Sequence, residues 1–164
     1  MNDNPEVPHL APIIRNSILE AFPEGPFVGR VTPADEISGE HFEEERDLYR
    51  EFYGKTWTEI PSSIIHSYAY SLPLLTEEAF VAFLPAWLRA ALTDSDVRES
   101  LVHAFSKDSQ KDDCSFLNGR MERLNTLQRK VILDFFTHAQ ASESSKGLQN
   151  EIQLALAYLS AIRS

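Results

Sequence analysis

Apolar residues recur at three-and-four spacing through most of this 164-residue chain, and no stretch alternates apolar with polar as a half-buried strand would. Leu10, Ile13, Ile14, Ile18, Ala21 and Phe22 mark one face of a first helix, with Pro12 in its first turn and Pro23 ending it after Phe22. In EHFEEERDLYREFYG, Phe42, Tyr49, Phe52 and Tyr53 fall on one side of a second helix and carboxylates on the other, with Gly54 as its stop. In KTWTEIPSSIIHSYAYSLPLL, Ser62 to Tyr70, bracketed by Pro61 and Pro73, reads as a short helix or irregular structure, and the segment as a whole sends Trp57, Ile60, Ile64, Ile65 and Tyr68 to the core. Asp94 or Asp96 caps a helix that buries Val97, Leu101 and Phe105. Asn125 with Gln128 forms a capping box before Leu127, Val131, Phe135 and Ala139, and Leu148, Ile152, Ala155, Leu159 and Ile162 define a closing helix.

The stretch LTEEAFVAFLPAWLRAAL, Leu75 to Leu92, is the most hydrophobic of all. Its uncharged part, Ala79 to Leu88, is ten residues long, whereas a spanning helix needs about 20. Phe80, Phe83, Leu84, Trp87, Leu88 and Ala91 make a bulky face, and Ala79, Ala82, Ala86 and Ala90 make a second apolar one, which is the signature of a buried helix. The bulky pattern keeps its phase across Pro85, so one kinked helix is expected, capped by Thr76 with Glu77 and Glu78 at its positive end. Loss of the hydrogen bond to Val81 opens a second expectation, a pocket lined by Pro85 and Trp87.

These elements predict an all-α fold: a single bundle of about six or seven helices spanning residues 9–164, behind a flexible arm at residues 1–8. Pro23 to Gly39, with three prolines and three glycines in 17 residues, is a long loop after the first helix, partly tacked to the core by Phe27, Val28 and Val31. SKDSQKDDCS and QASESSKG read as polar loops.

Charge narrows the choice of partner. With 25 acidic and 15 basic residues the net charge is −10, which opposes nucleic-acid phosphates and anionic membranes and favours a basic protein. The imbalance lies in the first half of the chain, and the densest run, Asp35 to Glu51, holds eight acids and two arginines in 17 residues. The one cysteine, Cys114, excludes an intramolecular disulfide, and the acidic, proline-containing start is unlike a secretory signal, so a cytoplasmic address is expected.

Candidate chemistry is sparse. His41, Glu44 and Glu45 place a histidine and carboxylates one turn apart, but a tight metal site needs three or four ligands. Cys114 would need a histidine base, and nothing in the spacing of His103 or His138 brings either to it. G-x-S-x-G, H-E-x-x-H and phosphate-cradling glycine loops do not occur. No catalytic residue, metal or cofactor is assigned.

The segments AFPEGPFVG, FYGKTWTEIP, LTEEAFVAFLPAWL and LNTLQRKVILDFF, in this order, are similar to an uncharacterised family of small bacterial domains. That family carries a proline- and glycine-rich stretch after the first helix, a W-x-x-I-P segment, an F-x-x-F-L-P-A-[FW]-L helix and an L-[ST]-x-x-Q helix start. The resemblance runs from about Ile14 to Phe136. It implies a bacterial, soluble, mostly helical domain, and it brings no activity or catalytic residue with it; the acidic segment lies outside its pattern.

The reading that follows is a non-enzymatic protein-binding module, of the kind that serves as an immunity or inhibitor protein for a basic toxin. Asp35, Glu36, Glu40, Glu43, Glu44, Asp47 and Glu51 are its expected contacts. The rivals are a self-associating or scaffold subunit using Tyr49, Phe52 and Tyr53, and a small-ligand binder or enzyme of unrecognised type at Trp87.

Overall fold

A computed structural model describes residues 7–33, 43–109 and 115–162, and among these it is all-α: eight α-helices, two short 3₁₀ segments and no strand. The helices are α1 (Val7–Ala21), α2 (Glu43–Phe52), α3 (Ser62–Ser67), α4 (Glu77–Ala91), α5 (Ser95–Ser109), α6 (Ser115–Met121), α7 (Thr126–Ser142) and α8 (Lys146–Ala161). The 3₁₀ segments, Trp57–Glu59 and Ala69–Leu74, flank α3. None of these helices is long and apolar enough to cross a membrane.

Helix α4 is the centre of the arrangement, packing on α1, α3, α5, α6 and both 3₁₀ segments, while α5 and α7 pack on α8 and α7 packs on α1. It runs unbroken through Pro85. An interior proline costs about 3 kcal/mol; Phe80, Phe83, Leu84, Trp87 and Leu88, each at most 1% exposed, outweigh it several-fold at roughly 1.5–3 kcal/mol apiece. Its start is tied down by Thr76, whose Oγ1 accepts from the Ala79 amide at 3.1 Å.

The loop after α1 is bound to its surroundings by its backbone. Phe27 and the turn after α2 exchange hydrogen bonds, Phe27 N–H to the Lys55 carbonyl (3.1 Å) and Gly54 N–H to the Phe27 carbonyl (2.6 Å). Gly54 has φ 78°, the left-handed conformation in which glycine ends a helix without a Cβ penalty. Farther on, Thr76 reaches the loop twice: its amide donates to the Val31 carbonyl (2.9 Å) and its hydroxyl to the Arg30 carbonyl (2.6 Å).

Several expectations are corrected. Helix α6 occupies residues assigned to no element, and α5 continues to Ser109 through part of a segment read as loop. Helix α1 starts at Val7, which puts Pro12 in the second turn. Phe27 and Val31 hold the loop down, but Val28 is 69% exposed. Leu127 is exposed as well, and the adjacent Gln128 turns inward, completing the capping box with Asn125 and donating to the Ala21 carbonyl at 3.1 Å. On α2 the buried stripe is Leu48 and Phe52; Tyr53 is exposed and stacks on Tyr49. Phe52 is therefore spent on the core, between Phe83 and Trp87, and is not available to an interface.

Candidate functional site

The acidic residues expected to meet a partner separate into three groups. Asp35, Glu36 and Glu40, with His41 of the declined metal pair, lie outside the described residues, as does Cys114. Asp47 and Glu51 are engaged on α2 itself: Arg50 pairs with Asp47 at 2.9 Å and with Glu51 at 3.5 Å, and Lys55 reaches Glu51 at 4.0 Å. Asp47, then Glu51, hold the Arg50 guanidinium pKa above its ordinary value. Glu44 accepts from the Ser71 hydroxyl at 2.6 Å, and Glu43 projects from the exposed first turn.

The bond from Ser71 to Glu44 joins α2 to the Ala69–Leu74 segment, and that segment leads to a second set of carboxylates. Tyr70, next to Ser71, is 62% exposed. Its hydroxyl pKa is raised, first by partial burial and then by the charges of Glu99 and Asp96 on α5. Glu99 in turn faces His103 at 3.5 Å, and His103 bridges to Glu151 of α8 at 3.1 Å. Beside them His66 Nδ1 lies 2.7 Å from Asp94. The result is an acidic belt over α2, the Tyr70 turn, α5 and α8, in which Tyr70 is the more exposed of two exposed aromatic rings, the other being Tyr53 at the end of α2. Asp96, Glu99 and His103 follow the i, i+3, i+7 rhythm of one helix face, a signal present in the sequence but hidden by a second half of zero net charge.

His66, Asp94 and Asp96 are the described residues that could hold a metal ion, with one donor atom each inside 4.8 Å. The oxygens of Asp94 already have work: Oδ1 accepts from the Asp96 and Val97 amides at 3.0 and 3.2 Å, capping α5, and Oδ2 meets His66. Burial opposes ionisation of Asp94, but the hydrogen bonds from His66, Val97 and Asp96 prevail and its pKa is lowered. The geometry is that of a charged helix cap.

A cleft of about 290 Å³ lies elsewhere, between the loop after α1, Trp57 and the face of α4 that carries Val81, Ala82 and Pro85. Val81 and Pro85, the two ends of the hydrogen bond that the proline ring abolishes, both line it. Trp87 does not, which corrects half of the expected pocket. It is wholly buried, stacks on Phe52 with ring centres 5.6 Å apart, and donates its indole N–H to the Ala69 carbonyl at 3.1 Å. The tryptophan at the cleft is Trp57, whose N–H is held by the Phe22 carbonyl at 3.3 Å.

Among the remaining histidines, His138 has its Nδ1 buried without a hydrogen-bond partner among the described residues. Burial and then the charge of Arg98 hold its pKa below the usual histidine value.

Residues 30–163 match the model of a family of unknown function (DUF6714), and the chain belongs to that family. No curated protein and no solved structure matches it.

Proposed function

We propose that this member of a family of unknown function is a non-enzymatic protein-binding module that captures a basic partner, as an immunity or inhibitor protein masks the cationic working surface of a toxin such as a nuclease. The observation that carries the reading is the acidic belt around Tyr70. Carboxylates clustered on one surface steer a cationic protein into encounter and repel acidic competitors. An exposed tyrosine among them is the type of residue that anchors an interface once water is expelled.

The contacts extend the first set of acids. On this reading Glu43 and Glu44 of α2, Tyr70, and Asp96 and Glu99 of α5 all take part in the contact, supported by the Ser71–Glu44 bond and by the charges of Asp96 and Glu99 felt at Tyr70; Asp47 and Glu51 add negative charge partly offset by Arg50. Asp35, Glu36 and Glu40 belong to the same proposal. A cytoplasmic bacterial setting, with a toxin or effector as the partner, is part of this reading.

The test is affinity capture from the native cell with the intact protein and with a Tyr70→Ala, Asp96→Asn, Glu99→Gln variant. The proposal expects a basic partner that elutes with salt and is lost from the variant. Recovered partners that are neither basic nor salt-sensitive, or that the variant retains, would overturn it.

A further inference from the structure

The cleft between the loop after α1, Trp57 and α4 is rich in hydrogen-bond acceptors and poor in donors. Pro23, Pro26 and Pro85 in its wall bring no N–H. The amides of Phe22, Gly25 and Phe27 are engaged, donating to the Ile18 carbonyl at 3.0 Å, to Thr56 Oγ1 at 2.9 Å and to the Lys55 carbonyl at 3.1 Å. The side-chain donors are engaged too, Trp57 Nε1–H on the Phe22 carbonyl and Gln128 Nε2–H on the Ala21 carbonyl. The acceptors are in a different position. Pro85 has no hydrogen to give the Val81 carbonyl one turn before it, and both residues line the cleft. Glu24 is the lining residue that carries charge, and its carboxylate meets no cation or donor among the described residues.

The rest of the wall is apolar and aromatic, from Phe22, Phe27, Trp57, Val81 and Pro85. A volume of about 290 Å³ is at the small end of ligand pockets, roughly 300–1,000 Å³. An anion entering here would find its donors already engaged and would meet the charge of Glu24. A cation brings the N–H groups that the wall lacks, together with the opposite charge. Arg89 does not fill this role from within: it lies outside the lining of the cleft, its guanidinium carbon 5.2 Å from the centre of the Trp57 ring and its Nη2 bound to the Ile60 carbonyl at 3.1 Å. Glu24 is exposed, so a head group paired with it keeps water on its remaining hydrogens. We propose that the cleft binds a small apolar amine, its body against Phe27, Trp57 and Pro85 and its ammonium on the acceptors of the wall, with Glu24 as the counter-charge. The site shares no residue with the acidic belt and does not depend on it.

Three ligands with one body and different heads test this: phenylpropylamine, phenylpropanol and phenylpropanoate, titrated into the intact protein by amide and indole chemical shifts in NMR. The amine is expected to bind about tenfold tighter than the alcohol, because only it makes a charge-assisted hydrogen bond to a carboxylate, and to shift the Trp57 indole N–H and the amides of Val81 and Ala82. The carboxylate is expected to bind weakest. Glu24→Gln, at an exposed loop position, should bring the amine to within about twofold of the alcohol while its spectrum stays that of the folded protein. Ala82→Phe, which fills the cleft, should abolish binding of all three. Equal binding of the three heads, preference for the carboxylate, absence of binding, shifts confined to Tyr70 and Glu99, or an unchanged preference in the Glu24 variant would each overturn the proposal. All of these would leave the acidic-belt reading as it stands.

Discussion

Replacing Thr76 with valine tests how the loop after α1 is coupled to the central helix. Valine keeps the shape of threonine and removes only the hydroxyl, which makes two bonds: it accepts from the Ala79 amide at 3.1 Å and donates to the Arg30 carbonyl at 2.6 Å. Loss of an N-cap costs about 1 kcal/mol, within a range of roughly 0.5–2. Loss of a second hydrogen bond at a partly exposed site adds about 0.5–1.5. The backbone bond from Thr76 N–H to the Val31 carbonyl remains, so the sum is a loss of about 2 kcal/mol. For a domain of this size that lowers Tm by about 4–8 °C. Urea unfolding with an unchanged slope would give the free energy, and calorimetry the shift. Thr76→Ser keeps both bonds and should stay within about 0.5 kcal/mol of the parent. A valine variant as stable as the parent, or a serine variant as weak as the valine one, would refute the role given to this hydroxyl.

Two further outcomes follow from buried polar groups. Because the folded pKa of His138 lies below its unfolded value of about 6.5, its contribution to stability is complete above that value and is lost as pH falls from there through the folded pKa. His138→Gln should therefore lose less stability than the parent between about pH 7.5 and 5.5, and urea midpoints falling in parallel would refute this. Trp87→Phe leaves the Ala69 carbonyl without its 3.1 Å donor. That costs about 1–3 kcal/mol, plus a term for the void; denaturant unfolding within about 0.5 kcal/mol of the parent would show that the bond does not matter.

What could be read in advance was local. Thr76, Asp94 and the Asn125–Gln128 pair act within one helical turn of themselves, and all of them cap as the sequence suggests. The buried face of α4 was equally plain, because its apolar period is uninterrupted. Helix α6 was not, since SFLNGRM is seven residues long with Gly119 inside it. A helix so short depends on tertiary packing rather than on its own propensity. That packing comes from buried Leu117 and Met121 and from Arg120, which donates to the Leu75 carbonyl at 2.8 Å from 45 residues away. The candidate sites divide in the same way. Pro85 was identifiable as a break in backbone bonding, but which tryptophan faces it depends on the path of the loop from Pro23 to Phe27. The acids of α5 become part of one surface with α2 only because Ser71 holds Glu44 while Tyr70 sits near Asp96 and Glu99.

The central claim, capture of a basic partner by the acidic belt, is tested most directly by the association rate of the partner as ionic strength rises. If the belt steers the encounter, the rate should fall on the order of tenfold between about 50 and 500 mM salt, and Asp96→Asn with Glu99→Gln should flatten that dependence. An association rate that does not respond to salt, or that responds equally in the parent and the neutralised variant, would contradict the account.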